Sequence, residues 1–352
     1  MSQTLTLNRE TIAAVDTTNQ VQEVLGLPDQ LRDALWRAES ANIEPRDSPG
    51  GLVVAAMGGS AIGGGLARAV LGDRASRPIV MARDYELPAW TTPDTTALCA
   101  SYSGGTEETL AVYDAAGALG ARRIVATTGG KLAEAARADG IPVVPLPGGF
   151  QPRAAVAYSL VVALEVAAIC GAGERVHSEI DVAAAHAEAL VDRWGPDGDE
   201  DCLPKTLARG LIGTVPLIIG AGLTSPIGYR WKTQINENAK LPSFANELPE
   251  LDHNEICAWE GPEDLGPFSA VFLDDSDLHP RIRQRIELTR GWAASRGMAT
   301  YRVDTVGVTR MERLVSLVLL GDLVSIYLAA LRGVDPVTIY AIEQIKDALA
   351  RG

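Results

Sequence analysis

The densest chemical signal in the sequence is a turn rich in hydroxyl groups and glycines that follows a predicted buried strand and opens a predicted helix. Its two glycines, Gly104 and Gly105, let the backbone turn tightly with N–H groups pointing outward. Ser101, Ser103 and Thr106 add three hydroxyl donors beside the positive end of the helix dipole. The combination suits a phosphate monoester, and it is also typical of an ordinary capped helix start.

A second turn of the same kind, Gly58-Gly59-Ser60, follows the first predicted strand. By itself it is typical of any strand-to-helix connection. Two such turns at the carboxyl edge of one parallel sheet strengthen each other, because ligands of these sheets bind in that crevice. Neither turn has the lysine of a Walker loop or the GxGxxG spacing of a dinucleotide site. We therefore expect a phosphate group that belongs to a small molecule.

A carboxylate in the second half of the chain is a candidate general base. Glu237 lies on a predicted helix that must end before Pro242, and it shares a face with Arg230, Thr233 and Lys240. The same spacing is typical of a solvated face with ion pairs. The residues alone leave both interpretations open.

Two further side chains could act with this base. Arg153 opens an apolar helix predicted from Ala154, where a cation is unfavourable for the helix dipole, and a functional role would explain it. His253 lies sixteen residues after Glu237 in a Leu-Asp-His-Asn loop, where it could also cap a turn. Asp252 and Glu255 flank it, but such closely spaced positions scatter in direction, and we expect no metal site.

An α/β framework must position these residues. The first half contains short, continuously apolar segments separated by helical ones, which indicates a parallel sheet covered on both faces. The predicted strands lie near residues 52–56, 79–81, 97–100, 124–127 and 143–144. The first half is therefore a doubly wound α/β layer.

The second half repeats the succession of strand, glycine turn and helix. A strand at 215–219 leads into Gly220-Ala221-Gly222 and a helix near 226–240, and further strands lie at 270–273 and 299–303. The repetition predicts a duplicated domain, with the join in the acidic stretch 194–204. We expect an N-terminal helical extension (1–48), a first domain (49–195) and a second domain (205–352).

Composition narrows the classes of partner. The 352 residues carry a formal net charge of −14, which disfavours sequence-independent binding to nucleic acid. The apolar stretches 154–171 and 314–331 contain Glu165 and Asp322, so we predict buried helices and no membrane association. The N-terminus shows no signal-peptide pattern, and the four cysteines are widely spaced. We expect reduced thiols and a cytoplasmic protein.

The two glycine turns resemble those of a sugar isomerase (SIS) domain, so the resemblance implies two SIS-type doubly wound subdomains. Three later segments resemble the bifunctional phosphoglucose/phosphomannose isomerases: Gln151-Pro152-Arg153, the stretch from Lys232 to Lys240, and the stretch from Asn246 to Asn254. The resemblance as a whole covers about residues 50 to 350. The block from Asn-Glu-Asn to Asp-His-Asn is the most specific part of this match.

The resemblance implies a role for each candidate residue. One set of residues holds the substrate phosphate. It comprises the hydroxyl groups of Ser60, Ser101, Ser103 and Thr106 and the backbone of three glycines in the turns, Gly59, Gly104 and Gly105. A second set carries the chemistry, with Glu237 as base, Arg153 stabilising the intermediate, His253 opening the sugar ring and Lys346 assisting there. In the family this histidine comes from a neighbouring subunit, which implies a homodimer with shared active sites. A threonine that helps the family accept both C2 epimers would correspond to Thr338.

The implied reaction is aldose–ketose isomerisation of glucose 6-phosphate or mannose 6-phosphate with fructose 6-phosphate. It needs a base, a cation near the developing enediolate and an acid at the ring oxygen, and it demands neither cofactor nor metal. A different class is a non-catalytic SIS module that senses a sugar phosphate, although residues 1–48 have too few basic groups to form a DNA-binding output domain. An amidotransferring synthase would need a catalytic cysteine near the N-terminus, whereas the first cysteine is Cys99. A phosphoheptose isomerase would be a single, shorter SIS unit.

Overall fold

The structure is a computed structural model that describes residues 5–260, 266–349 and 351. The strands are β1 (Leu52–Ala55), β2 (Ile79–Ala82), β3 (Thr96–Ala100), β4 (Arg122–Thr127), β5 (Val143–Pro145), β6 (Val215–Gly220), β7 (Phe244–Glu247), β8 (Phe268–Asp274) and β9 (Ala299–Asp304). The α-helices are α1 (Arg9–Ala13), α2 (Gln20–Leu25), α3 (Leu27–Ser40), α4 (Gly58–Leu71), α5 (Glu107–Leu119), α6 (Gly130–Ala138), α7 (Val156–Ile169), α8 (His177–Trp194), α9 (Leu203–Leu211), α10 (Ser225–Ala239), α11 (Pro280–Ser295), α12 (Arg310–Arg332) and α13 (Tyr340–Leu349).

Contacts divide the chain into two compact units that interleave along the sequence. The first-sheet unit comprises Gly26–Glu188 and Val306–Ser316, and the second-sheet unit comprises Met1–Leu25, Ala189–Thr305 and Leu317–Gly352. The domain boundaries expected at residues 48, 195 and 205 stay predictions, because these units are defined by packing and not by order in the chain.

The first-sheet unit is a parallel sheet covered on both faces. Its strand order is β2-β1-β3-β4-β5, and every neighbouring pair is parallel. Helices α4 and α7 cover one face and α5 and α6 the other. The residues of β1 and β3 are all buried, which explains why these strands are continuously apolar in sequence.

The second-sheet unit repeats this topology with four strands. Its order is β7-β6-β8-β9, again with every neighbouring pair parallel, and this matches the order of the first four strands of the other sheet. Helix α10 packs on β6 and β7, and α11 packs on β8 and β9. The expected fold class, two doubly wound α/β layers, is confirmed.

Helix α12 is the longest helix of the described residues, and its composition alone would allow it to cross a membrane. In the structure, 94% of its most apolar window is buried, as in the core helix of a globular protein. Its N-terminus carries a reciprocal capping box, in which Glu312 N donates to Thr309 Oγ1 and Thr309 N donates to Glu312 Oε2. The expectation of a buried helix at this position is confirmed.

Candidate active site

The two glycine turns lie at the point in the first sheet where the strand order reverses. Strands β1 and β3 are neighbours, and their helices α4 and α5 cover opposite faces, so a crevice opens between the two carboxyl ends. Gly58-Gly59-Ser60 opens α4 directly after β1, and the stretch 101–106 lies between β3 and α5. Parallel sheets with this order bind phosphorylated ligands at this switch point.

In the turn 101–106, the hydroxyl groups of Ser101 and Thr106 face each other, and Thr106 does not cap α5. Ser101 is 2% exposed, and its Oγ lies 2.8 Å from Oγ1 of Thr106. Thr106 is the N-cap residue of α5, yet its side chain makes no capping hydrogen bond. Ser103 is exposed, and Ser60 is half-buried in the first turn of α4. The arrangement disfavours the interpretation of this stretch as an ordinary capped helix start.

Gly104 serves a steric purpose that the sequence does not reveal. Its φ is +67°, and a Cβ atom there would lie 1.8 Å from the carbonyl oxygen of Gly129 in the turn after β4. Its N–H points inward, to the carbonyl and hydroxyl oxygens of Ser101, both at 3.1 Å. The expectation that this N–H points outward is therefore wrong, because the tight turn itself uses the donor. The N–H of Gly105 makes a longer contact, 3.3 Å to Ser103 Oγ.

The turn Gly58-Gly59-Ser60 touches the segment that carries Arg153. A Cβ atom at Gly59 would lie 2.7 Å from the carbonyl oxygen of Pro152 and 3.1 Å from the Cα of Arg153. The Arg153 side chain is 3% exposed, and its Nη1 donates to Oε1 of Gln151 at 3.4 Å. A guanidinium in this environment acts at a lower dielectric constant than at the surface and stabilises a nearby negative charge more strongly.

A tyrosine that the sequence analysis did not assign joins these segments. Tyr102 Oη donates to the carbonyl oxygen of Pro147 at 2.8 Å and accepts from the N–H of Phe150 at 2.9 Å. Its own carbonyl oxygen accepts from the N–H and the hydroxyl of Thr128, at 3.2 and 2.7 Å. Tyr102 therefore connects the turns that follow β3, β4 and β5. Its position between Ser101 and Ser103, two predicted phosphate ligands, is the feature of the sequence that could have identified it.

Glu237 lies in the last turn of α10 and is half-buried. The helix ends at Lys240, which adopts the left-handed conformation with φ +52°. Arg230, on the predicted face, is 1% exposed and pairs with Asp322 at 2.6 Å. The alternative of a solvated ion-pair face is therefore wrong at Arg230, which is buried against another helix.

Lys240 connects the candidate base to the segment that precedes α13. Its Nζ donates to the carbonyl oxygens of Glu237 at 2.6 Å and Asp335 at 2.8 Å. The carboxylate of Asp335 accepts from Thr338 Oγ1 at 2.7 Å. The threonine suggested for epimer acceptance is thus linked to the end of the helix that carries Glu237. Lys346 lies farther along, exposed on α13.

His253 is exposed at the end of a short 3-10 helix (Glu250–His253) that follows β7. The preceding Asp252 is tied to α11 by hydrogen bonds from Arg285 at 2.9 Å and Thr289 at 2.7 Å. Glu255 accepts a hydrogen bond from Asn246. These contacts anchor the loop beneath the histidine. Within the residues that the structure describes, no three acidic, cysteine or histidine side chains form a group that could hold a metal.

Glu237 and His253 of one chain lie at opposite edges of the second sheet. Helix α10 starts at the carboxyl edge, where Ser225 bonds Glu247 at the end of β7, and it ends at the amino edge, where Asn236 accepts from the N–H of Ser243. His253 follows β7 and therefore lies at the carboxyl edge. The six residues of β6 separate the two edges by roughly 16 Å. The base and the histidine of one chain are therefore not adjacent.

The switch point of the second sheet carries carboxylates where that of the first sheet carries hydroxyl groups. Strand β8, the equivalent of β3, ends at Asp274, and Asp275, Ser276 and Asp277 follow it. Asp274 is 1% exposed, and burial raises the pKa of its carboxyl although Arg302 lies 2.8 Å away. Arg283 partly offsets these carboxylates, because it lies 3.8 Å from Asp274 and donates to the carbonyl oxygens of Asp275 and Ser276. This turn carries fewer hydroxyl groups and more carboxylates than the stretch 101–106.

Relatives with assigned activities match nearly the whole chain. A bifunctional phosphoglucose/phosphomannose isomerase from Caldicellulosiruptor bescii is 39% identical over 334 residues, which are 94% of this chain and 98% of that protein. The chain belongs to the bifunctional phosphoglucose/phosphomannose isomerase family. A second member of this family, from Aquifex aeolicus, is 33% identical over 302 residues, 86% of this chain and 91% of that protein. A family profile described as the bacterial phospho-glucose isomerase C-terminal SIS domain matches residues 200–349.

Solved structures agree with the family at the level of fold. A hypothetical protein from Thermus thermophilus superposes with a TM-score of 0.74 at 16% identity, over 98% of this chain and 93% of that chain. A glucose-6-phosphate isomerase like protein from the same organism gives a TM-score of 0.61 at 20% identity, over 98% and 99%. The SIS-type fold expected for this family is confirmed.

Proposed function

We propose that the chain is an aldose–ketose isomerase that interconverts glucose 6-phosphate and mannose 6-phosphate with fructose 6-phosphate. The observation that carries the proposal is the similarity over nearly the full length to an isomerase named for both activities, at 39% identity. The hydroxyl-rich turns at the switch point of the first sheet support it independently. The substrate phosphate binds Ser60, Ser101, Ser103 and Thr106, close to the backbone of Gly59, Gly104 and Gly105.

The isomerisation moves hydrogen within the sugar and consumes no oxidant. Glu237 removes the proton from C2 of the open-chain aldose and returns it to C1, while the hydroxyl proton moves between the C1 and C2 oxygens. Arg153 stabilises the enediolate oxygens between these steps. His253 transfers the proton that opens the ring, and Lys346 assists it. The phosphate is distant from the reacting carbons, so its binding supplies positioning.

Two copies of the chain share each active site in this proposal. The support is the placement of Glu237 and His253 at opposite edges of the second sheet, which favours a site that takes the two groups from different chains. The helix α13 provides a surface for a partner, because Tyr340, Ile345 and Leu349 are each more than 60% exposed. Ile345 and Leu349 are four residues apart and share one face of α13, and exposed apolar groups on one face are typical of interaction surfaces. The protein acts on a small phosphosugar in the cytoplasm, without nucleic acid or membrane as partners.

The direct test is product analysis from fructose 6-phosphate after treatment with a chelator. We expect both aldose phosphates from the wild-type protein and a loss of ~10²–10⁴-fold in kcat for Glu237→Gln, with phosphosugar binding retained. Glu287→Gln is the matched control, because Glu287 is a partly exposed glutamate of the same unit that pairs with arginines. Binding without conversion by the wild type would favour the sensing module instead.

A mixing experiment tests the shared sites. Glu237→Gln and His253→Ala are each expected to be inactive, whereas a mixed dimer has one site with both intact groups. Random assembly from equal amounts should restore about one quarter of the wild-type activity for a twofold-symmetric dimer. Sites formed within one chain would give no activity after mixing, and that result would refute the shared arrangement.

A further inference from the structure

One side of α10 is polar yet buried, and it faces α12 instead of solvent. Arg230, Gln234 and Asn238 are each at most 1% exposed, and their spacing of four residues places them on one stripe. Glu237 follows Arg230 by seven residues, which places it within about 20° of Arg230 around the helix. The buried stripe and the candidate base therefore belong to the same rigid element.

A single carboxylate on α12 holds two successive turns of this stripe. Arg230 Nη2 donates to Oδ2 of Asp322 at 2.6 Å, and Gln234 Nε2 donates to Oδ1 at 3.0 Å. Farther along, Asn238 Nδ2 donates to Oγ of Ser325 at 2.8 Å. Asp322 is 3% exposed, and burial raises the pKa of its carboxyl while the Arg230 guanidinium opposes that rise.

The two helices also approach closely beside this network. The indole of Trp231 donates to the carbonyl oxygen of Leu317 at 2.8 Å, and a Cβ atom at Gly321 would lie 2.1 Å from Trp231 Nε1. Replacing a buried ion pair by apolar groups of similar volume often leaves stability unchanged or raises it. The buried Arg230–Asp322 pair is therefore better explained by a requirement for one defined orientation of α10 than by a gain in folding stability.

We propose that Asp322 is a positioning residue whose two hydrogen bonds fix the rotation of α10 and thereby the direction of the Glu237 carboxylate. The inference rests on the proposed function of Glu237 as the catalytic base. A carboxylate about 6 Å from the helix axis moves by about 1 Å when the helix rotates by about 10°. A misplacement of about 1 Å is sufficient to lower a rate about 10²-fold.

The first test replaces the carboxylate by an amide of the same shape. Asp322→Asn removes the charge that pairs with Arg230, and we expect kcat to fall about 10- to 100-fold. KM for fructose 6-phosphate should change less than about twofold, because the phosphate contacts lie in the other unit. Lys205→Met is the control, since Lys205 is a buried cation of the same unit bonded to Glu200 and to two carbonyl oxygens outside α10. The control should lose thermal stability and keep its kcat per folded molecule.

A double variant separates positioning from stability. In Arg230→Met/Asp322→Asn the buried cation is removed together with its carboxylate, so the melting temperature should return toward that of the wild type. The value of kcat should stay at least about tenfold below the wild type, because the charge-assisted bond to α10 is still missing. Recovery of kcat in step with the melting temperature would refute the positioning role.

Hydrogen–deuterium exchange tests the same inference without relying on activity. In Asp322→Asn, the amides of residues 235–240 should exchange at least about tenfold faster than in the wild type, with no such change in Lys205→Met. Unchanged exchange at this end of α10 would refute the inference, whether or not the wild type isomerises phosphosugars. Absence of isomerisation with faster exchange would refute the proposed base and retain Asp322 as the residue that orders the helix end.

Discussion

Replacing Gly59 by alanine should disturb the candidate site without removing any functional group. The added Cβ atom would lie 2.7 Å from the carbonyl oxygen of Pro152, and it needs about 0.7 Å of displacement to reach an ordinary contact of 3.4 Å. The Cα of Arg153 lies 3.1 Å from the same position, so the turn and the arginine backbone must separate. Gly59 does not adopt a positive φ, and the effect is therefore steric and not conformational.

The expected magnitudes follow from this overlap. Overpacking of a well-packed region costs about 1–3 kcal/mol in the free energy of unfolding. For a unit of this size, each kcal/mol lowers the melting temperature by about 2–4 °C. Displacement of Arg153 by several tenths of an ångström should lower kcat/KM about 10- to 100-fold.

The assay combines steady-state kinetics with fructose 6-phosphate and thermal unfolding of the same preparations. Gly148→Ala is the control, because nothing lies within 4 Å of its Cβ position and its φ is not positive. The control should match the wild type in both measurements. Wild-type kcat/KM and melting temperature for Gly59→Ala would refute the idea that this close approach positions Arg153.

Three other predictions concern pH, thiol reactivity and stoichiometry. Burial raises the pKa of Glu312, but hydrogen bonds from the N–H groups of Thr309 and Val308 outweigh it and leave the pKa below 4.5. The stabilisation from the ionised Glu312 carboxylate is therefore complete well above pH 4.5 and is lost as pH falls through the folded pKa. Glu312→Gln should cost roughly 1–3 kcal/mol in denaturant unfolding at pH 7 and progressively less as the pH falls below 4.5. Burial raises the pKa of Cys99 to about 12, so a thiol reagent at pH 8 should label exposed Cys257 first and leave Cys99 unmodified in the native protein, as peptide mapping would show. Calorimetry should find one phosphosugar per chain, since the hydroxyl-rich turns belong to the first sheet; two equal sites would contradict this.

The fold was largely predictable because its central strands, such as β1 and β3, are buried on both faces. Continuous apolar segments such as the one at β3 identify parallel strands, and the glycine turns mark their carboxyl ends. Strand β7 was not predicted, since its Phe-Ala-Asn-Glu sequence is short and only partly buried. Polar groups in apolar helices were correctly interpreted as buried, but their partners could not be named. Glu165 lies 2.6 Å from His177, a contact that only the tertiary structure creates.

The candidate site was predictable in its residue types and not in its geometry. The hydroxyl groups at Ser101 and Thr106 were found from the motif, whereas the inward N–H of Gly104 depends on a turn that no pattern specifies. Arg230 was placed on the correct face of α10, but its burial depends on Asp322, which lies 92 residues away in sequence. Long-range partners of this kind carry no local signal.

The interleaving of the two units has a consequence for protein synthesis. The first-sheet unit includes Gly26–Glu188 but also needs Val306–Ser316, which emerge from the ribosome much later. At translation rates of about 5–20 residues per second, the part of the first-sheet unit already synthesised lacks Val306–Ser316 for roughly 6 to 26 s. During this interval its incomplete surface is open to chaperones or to a neighbouring nascent chain. A protein fragment that ends after α8 would lack Val306–Ser316 permanently, and its first-sheet unit would stay incomplete.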